Sequence, residues 1–452
     1  MLITAASVVT MILISEEVTT SNTISNHNFQ LKDTASVVQT ILAPFRVLKA
    51  MWRSGGDADH PMHTCLYYVR AYIRLLGLWP APRTAEQPLY YAYNMLIMTL
   101  FVVFVATITC DLYEASADFV LLGEDLVVAL GLYLILFKMM LFRFRKAEIV
   151  SIVEEFDNLH AKYVHAPTHI CSNRRIREWQ RSFFIGEMFL VYGFLILSLL
   201  LLAAMSLQPL FSHQELPFRS KFPFGLNNPE KHPIAFLCIY AFQCFCCCYM
   251  LVSIVAMDSL TGSCFNQITL NLRILCENIR YLGADAGGNI FSTSERIVWR
   301  ELRVAVEFHQ KIIGLINRLN QVFYWNYIPQ MGASTFMICL TAFEALLAQD
   351  QPMVALKFQM YMFSAFMQLF YWCSMGNRTY YDSMEVATAA YEIHAWYDHS
   401  PRLQRNLMFI IKRAQKPLEF RAKPLFGFTF ASFTSILSTS YSYFALLRTM
   451  SD

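Results

Sequence analysis

Charge is what this chain has least of. Only 15% of its 452 residues are Asp, Glu, Lys or Arg, against roughly 25% in ordinary soluble domains. A soluble protein of this length must divide into domains with polar surfaces, and there is too little charge here to cover them. The net charge of +3 is too small to argue for nucleic acid as a partner. Catalytic signatures are missing as well: there is no Walker loop, no GxGxxG, no HExxH and no nucleophile elbow. The expectation is therefore a non-enzyme without a cofactor. The twelve Cys show no metal-ligand spacing. Four of them crowd into FQCFCCCYM (Phe242 to Met250), where small buried hydrophobes are the natural reading. Cys110 and Cys238 fall near one outer face, which leaves a disulfide open. No basic residue precedes Lys32, which weakens a signal-peptide reading of the apolar start. Residues 1–44 are expected to form an N-terminal extension.

What the chain has instead is hydrocarbon. Hydrophobic residues make up 56%, with 37 Phe and 22 Met. Seven apolar runs have the length needed to cross a bilayer: Leu89–Cys110, Phe119–Phe137, Phe183–Met205, Pro233–Met257, Val322–Leu347, Met353–Met375 and Gly427–Leu447. Helices are the form open to them, because an open sheet edge cannot sit in lipid. Basic residues then set the sides. Seven Lys and Arg precede the first run. The successive connections hold none, nine, three, seven, Lys357 alone at the edge of the sixth run, and eight; Arg448 follows the last run. The alternation places the N-terminus inside and the C-terminus outside. The predicted fold class is thus an all-α polytopic membrane protein with seven transmembrane helices, N-terminus cytoplasmic and C-terminus extracellular. This opposes the layout of G-protein-coupled receptors. The two long inside connections, 258–321 and 376–426, carry helical spacing that continues the neighbouring spans. They are predicted to form a cytoplasmic helical anchor, interrupted at GADAGGN (Gly283 to Asn289) and HSPR (His399 to Arg402).

The last run is unusual for its hydroxyls. On a helix, Ser435, Ser438 or Thr439, Ser442, Leu446 and Thr449 share one face. That face is polar for several turns, apolar once at Leu446, then polar again. Water suits it better than lipid, which predicts a conduit wall with Leu446 as a dewetting constriction. Phe430, Phe433, Leu437, Phe444 and Leu447 remain on the opposite side for packing. Hydroxyls also serve as small interhelical contacts or bond back to their own helix, and that alternative stays open. One helix cannot enclose a pore, so the conduit reading requires several subunits. Glu124, Asp125, Glu187 and Glu344 lie within spans and are functional candidates by position. Glu124 and Asp125 suit a vestibule or a helix neighbour; Glu187 and Glu344 lie near span ends, within reach of headgroups. HAPTH (His165 to His169) reads as solvated loop. The sequon NRT (Asn377 to Thr379) falls on the inside and is expected to stay unmodified. Aromatic and Met-rich outer halves suit a small hydrophobic ligand. Its candidate contacts are Tyr192, Tyr240, Phe242, Phe358 and Tyr361, with ordinary core packing as the alternative at each.

Three stretches carry a family resemblance: RLLGLWP (Arg74 to Pro80), QLFYWCSMGNRTYYDSMEVATAAYEIHAW (Gln368 to Trp396) and FASFTSILSTSYSYFALLR (Phe430 to Arg448). Together they make the chain similar to the insect odorant receptors, over residues 45–450. The resemblance implies an inverted seven-helix fold and a ligand-gated, non-selective cation channel that assembles with a shared odorant coreceptor as a heterotetramer. It further implies a small volatile ligand, cations passing through the pore, surrounding lipids, and residence in the plasma membrane of olfactory sensory neurons. Aligned through SYF (Ser442 to Phe444), the family's gate falls on Leu446, with Thr449 one turn beyond. The pore residues implied are Ser435, Thr439, Ser442, Leu446 and Thr449. Ser442 and the Arg448–Thr449 ending depart from the coreceptor's closing segment, and the inner loop after the fourth span lacks its long insertion. Both departures point to a tuning subunit. A metabotropic seven-helix chemoreceptor and a gustatory-type receptor channel are the alternatives. The first is opposed by the inside N-terminus and the second by the form of the closing segment.

Overall fold

The computed structural model describes residues 69–70, 72–74, 76–79, 87–114, 119–163, 173–211, 216–222, 225–283, 295–349, 351–422 and 424–451. The proposed extension 1–44, HAPTH and all but the first residue of GADAGGN lie outside these residues, as do Leu75 and Pro80 of RLLGLWP. Among the described residues, α-helices span Gln87–Glu114 (α1), Phe119–Phe144 (α2), Lys146–Tyr163 (α3), Asn173–Phe211 (α4), Pro233–Arg280 (α5), Glu295–Val322 (α6), Tyr324–Leu347 (α7), Pro352–Tyr391 (α8), Pro401–Ala414 (α9) and Phe430–Ser451 (α10); residues 69–70 and 72–74 are helical as well. One 3₁₀ turn, Trp396–Asp398, lies between α8 and α9. A minimal antiparallel ladder pairs Arg421–Ala422 (β1) with Phe426–Gly427 (β2).

All seven expected spans are helical: α1, α2, α4, α5, α7, α8 and α10. Among the described residues, five helices are by length and composition apolar enough to cross a membrane, at Tyr90–Tyr113, Asp125–Phe144, Arg175–Ala203, Pro233–Arg280 and Tyr324–Leu347. Polar side chains dilute the other two: Lys357, Gln359 and Gln368 in α8, hydroxyls in α10. The long inside connections are helical, as expected. At 1.5 Å per residue, α5 with 48 residues runs about 72 Å, more than twice the hydrocarbon thickness, so part of it must leave the membrane. The 40 residues of α8 reach about 60 Å by the same measure. Helix α3, in the second connection, is an addition the apolar runs did not foretell.

The chain divides into two compact units, Met1–Leu136 with Leu195–Met257, and Phe137–Phe194 with Asp258–Asp452. In the first, Phe104 meets Phe218 and Phe242 edge-on, with ring centroids 6.2 and 6.0 Å apart. The non-helical segment around Phe218 needs partners for its backbone. The buried Gln243 supplies them: its Nε2 donates to the Phe218 carbonyl at 2.9 Å and to Ser220 Oγ at 2.6 Å, and its Oε1 accepts from Phe218 N at 3.2 Å. Upstream, Asn94 and Tyr249 donate to the carbonyls of Gly77 and Leu76 at 2.6 and 2.5 Å, which ties down the described part of RLLGLWP.

The second unit is built on an aromatic cluster. Phe265 stacks on Phe420 with centroids 3.5 Å apart, and Tyr327, Trp372 and Phe428 pack edge-on or tilted around them. Helices α6 and α9 show why they lie alongside. Val298, Leu302, Ala305, Phe308, Ile312, Leu315 and Leu319 line one buried face of α6, and Leu403, Leu407, Ile410 and Ala414 one face of α9. That spacing of three and four is the signature of a helix half in a core. Ion pairs knit α5 to α8 and its C-terminal cap: Arg273 with Asp382 at 2.6 Å, and Arg280 with Glu385 at 2.7 Å and with Glu392, just past α8, at 2.6 Å.

Candidate functional site: the closing helix and its mounting

The chain approaches α10 through a short strap, residues 418–429, that is fastened at four points. Ser383 Oγ accepts from Leu418 N at 2.9 Å. Asn320 donates to the Glu419 carbonyl at 2.9 Å and accepts from Arg421 N at 3.1 Å. Phe428 N bonds the Phe420 carbonyl at 2.9 Å. Asn377 Oδ1 accepts from Phe430 N at 3.3 Å, meeting one of the orphan donors at the start of the last helix. Gly376 is the hinge of this arrangement. A Cβ there would lie 2.3 Å from the Phe428 carbonyl oxygen and 2.5 Å from its Cβ, so only glycine admits the strap. Gly376, Asn377 and Ser383, all within the Gln368–Trp396 stretch, thus each help to seat the strap. Asn377 and the fully buried Thr379, the latter bonded to Thr269 at 2.8 Å, are occupied inside the protein.

Helix α10 packs on α7 and α8. Phe433 meets Phe366 and Phe370 at 5.3 and 5.9 Å, and the buried Ser440 donates to the Thr335 carbonyl at 3.2 Å. Phe433, Leu437, Phe444 and Leu447 are half-buried, as expected of the packing side. Phe430 is the exception, 41% exposed although stacked on Phe370. The opposite side is uncovered. Ser435, Ser438, Thr439, Ser442, Leu446 and Thr449 are all exposed, Leu446 at 57%, with Tyr441 and Tyr443 exposed at its flanks. The hydroxyls bond back to their own helix: Thr439 to the Ser435 carbonyl and Ser442 to the Ser438 carbonyl at 2.9 Å, Thr449 to the Leu446 carbonyl at 2.8 Å. With the proton directed inward, the oxygen lone pairs are what the stripe turns outward.

The candidate ligand contacts fall in different surroundings. In the first unit, Tyr240 is half-buried and its hydroxyl donates to the Ser206 carbonyl, while Phe242 lies edge-on against Phe104. In the second unit, Phe358 is buried, with Lys357 Nζ 4.8 Å from its ring centroid, and Tyr192 and Tyr361 are half-buried. Cys110 and Cys238 are free, exposed thiols. Two intramembrane carboxylates correct the expectation that they reach headgroups. Glu187 is buried and accepts from Ser263 and, at 2.6 Å, from Asn266 Nδ2; Glu344 is 3% exposed. Both are satisfied or enclosed by protein because a carboxylate in hydrocarbon is costly without donors. Asp125 is buried too; the Glu124 side chain lies outside the described residues.

Sequence reading missed one cluster. Lys138, counted there as a loop cation, is fully buried, and its Nζ lies 2.6 Å from Asp258 Oδ1. The same ammonium donates to Gln330 Oε1, and Gln368 Nε2 donates to Asp258 Oδ2 at 2.7 Å. The available signal was that Lys138 and Asp258 both stand at the inner end of an apolar run, on helices long enough to carry them onward.

These features define a polytopic, all-helical membrane protein whose last helix is mounted on one side and bare on the other. Comparison with known proteins makes the class specific. Residues 118–441 match the family model described as 7tm Odorant receptor. The chain is 34% identical over 414 residues to Odorant receptor 47b of Drosophila melanogaster, covering 91% of this chain and 98% of that one. It is 28% identical over 409 residues to Putative odorant receptor 65b of the same fly, covering 89% and 97%. In fold it is similar to the insect olfactory receptor OR5 from Machilis hrabei in complex with eugenol, with a TM-score of 0.71 at 15% sequence identity, covering 85% of this chain and 97% of that one. The chain belongs to the 7tm odorant receptor family: it is a membrane chemoreceptor, not an enzyme.

Proposed function

We propose that this protein is the odorant-tuning subunit of an odorant-gated, non-selective cation channel in the plasma membrane of olfactory sensory neurons. It acts with an odorant coreceptor in a heterotetramer. The observation that carries the reading is the bare hydroxyl stripe of α10, standing opposite the face that packs on α7 and α8. Three of the hydroxyls are satisfied by their own helix, but a continuous row of exposed oxygen lone pairs along one face suits a water-filled conduit better than lipid. Outward lone pairs suit a hydrated cation, which needs acceptors. Leu446 is the apolar ring that closes the conduit by dewetting, with Thr449 beyond it and Ser442, Thr439 and Ser435 before it. Several copies of this helix, from this chain and its partners, enclose the pore. The N-terminus lies in the cytoplasm, and residues 258–321 and 376–426 form an anchor there.

A small volatile, hydrophobic molecule binds among the aromatic outer halves of the spans, with Tyr192, Tyr240, Phe242, Phe358 and Tyr361 as candidate contacts. The related Machilis hrabei receptor was solved with eugenol, a ligand of that chemical class. The ligand opens the gate only through its greater affinity for the open arrangement.

The test is current recording with a coreceptor present. Leu446→Ser should raise ligand-free current severalfold at normal surface density. Ser442→Cys should make the current sensitive to an impermeant thiol reagent. Unchanged basal current in the first, together with insensitivity in the second, would remove α10 as the pore wall.

A further inference from the structure

Within the second unit, residues from four helices meet at one polar knot. Lys138 comes from α2, Asp258 from α5, Gln330 from α7 and Gln368 from α8. The ammonium bridges Asp258 and Gln330, while the second carboxylate oxygen receives Gln368 at 2.7 Å. Gln330 Nε2 donates in turn to Ser334 Oγ at 3.2 Å. The ammonium also stands 5.4 Å from the centroid of the Trp372 ring. Lys138, Asp258 and Gln330 are buried, at 0%, 5% and 1% exposed, and Gln368 is half-buried at the edge of the knot.

The knot sits on a single face of α8 that leads to the last helix. Tyr361, Gln368, Trp372, Gly376, Thr379 and Ser383 follow one another at spacings of seven, four, four, three and four, so they share that face. Above the knot the face carries the candidate ligand contact Tyr361. Below it, Trp372 packs 5.3 Å from Phe428, Gly376 receives the Phe428 backbone, and Ser383 holds Leu418 N. The strap that launches α10 is therefore seated on the same helix face the knot fixes.

A buried ion pair contributes little stability beyond apolar side chains of equal volume, but moving one partner alone strands a charge in hydrocarbon. Such a pair therefore tolerates few relative positions of the four helices. It also has partners in reserve. Asn326, one turn before Gln330, is fully buried, and both its amide atoms lack a hydrogen bond, as does Trp372 Nε1. Unmet groups of this kind are costly and allow Gln330 and the ammonium to exchange partners in a second arrangement.

We propose that the Lys138–Asp258 knot is a positioning device for gating. It holds α8 at the register that seats the Phe428 strap and keeps α10 closed, and its hydrogen bonds redistribute when the channel opens. The inference rests on α10 being the pore wall.

The experiment uses the full chain coexpressed with a coreceptor, with ligand-free current divided by surface density. Lys138→Met with Asp258→Leu removes both charges together; Gln330→Met and Gln368→Met each loosen the knot without stranding a charge by deletion of its counterion. We expect these variants at the surface within about twofold of the parent, with ligand-free current raised at least threefold, and Lys138→Arg close to the parent. Surface-expressed variants whose basal current is unchanged would overturn the proposal, because the knot would then be structural only. Retention of all of them inside the cell would overturn it as well. Ser442→Cys in the same cells separates the two ideas: thiol insensitivity there rejects the pore wall itself, whatever the knot variants do.

Discussion

At Gly376 a single hydrogen decides the mounting of the last helix. Any Cβ at this position meets the Phe428 backbone at 2.3 Å, and backbone cannot swing aside as a side-chain tip does. Overpacking of this kind costs about 1–3 kcal/mol and occasionally more. Gly376→Ala is expected to lower the melting temperature of the detergent-solubilised protein by several degrees and to reduce its surface fraction. Gly262 is a second close approach, where a Cβ would fall 1.8 Å from the Tyr371 hydroxyl; small residues at such points let membrane helices come together. Asn377 acts differently. It caps the Phe430 amide, and losing that partner is expected to cost about 1 kcal/mol. Because the charge pattern puts this sequon on the inner side and Thr379 is buried, glycosidase treatment should leave the mobility of the protein on a gel unchanged as far as this sequon is concerned.

Among the elements, α6 shows how an apolar stripe handles a titratable group. His309 lies on its buried face beside Ile312 and Phe308. Burial, with a smaller contribution from the Arg413 cation, brings its imidazole down from the ordinary 6.5 to about 4. The folded protein therefore holds it neutral, whereas the unfolded chain takes up a proton below 6.5. Stability is complete above that value, falls as pH drops from 6.5 towards 4, and changes no further below. By pH 5 the loss from this group amounts to roughly 2 kcal/mol. Melting of the solubilised protein at pH 7.5 and 5.0 should show the decline, and His309→Gln should reduce it. At the start of α6 another group, Glu295, is shifted downward for a different reason. Ser400 and Trp299 donate to Glu295, and those bonds favour its charged form.

For the molecule as a whole, the alternating Lys and Arg counts make a statement about sides, and an odd number of crossings puts the termini on opposite ones. An antibody to an N-terminal tag should label only permeabilised cells, and one to a C-terminal tag should label intact cells. Labelling of both tags from the same side would reject seven crossings. The long helices suit the same layout. Because α5 and α8 exceed the bilayer, their ion-paired ends, with Arg273, Arg280, Asp382, Glu385 and Glu392, are placed where water can reach them.

Composition and spacing by themselves determined the membrane class, the seven helices and the face of α10 that carries its hydroxyls. Each follows from local chemistry, namely hydrocarbon length, helical period and charge near span ends. The FASFTSILSTSYSYFALLR stretch also showed which side of α10 is apolar. Only the tertiary structure decided that this apolar side is the one covered by α7 and α8, that Gly376 must lack a Cβ, that Glu187 and Glu344 turn into protein, and that Lys138 pairs with Asp258. Those outcomes depend on which surfaces meet across long stretches of chain. Lys138 and Asp258 are 120 positions apart, and no periodicity within either helix records that the other will lie 2.6 Å away.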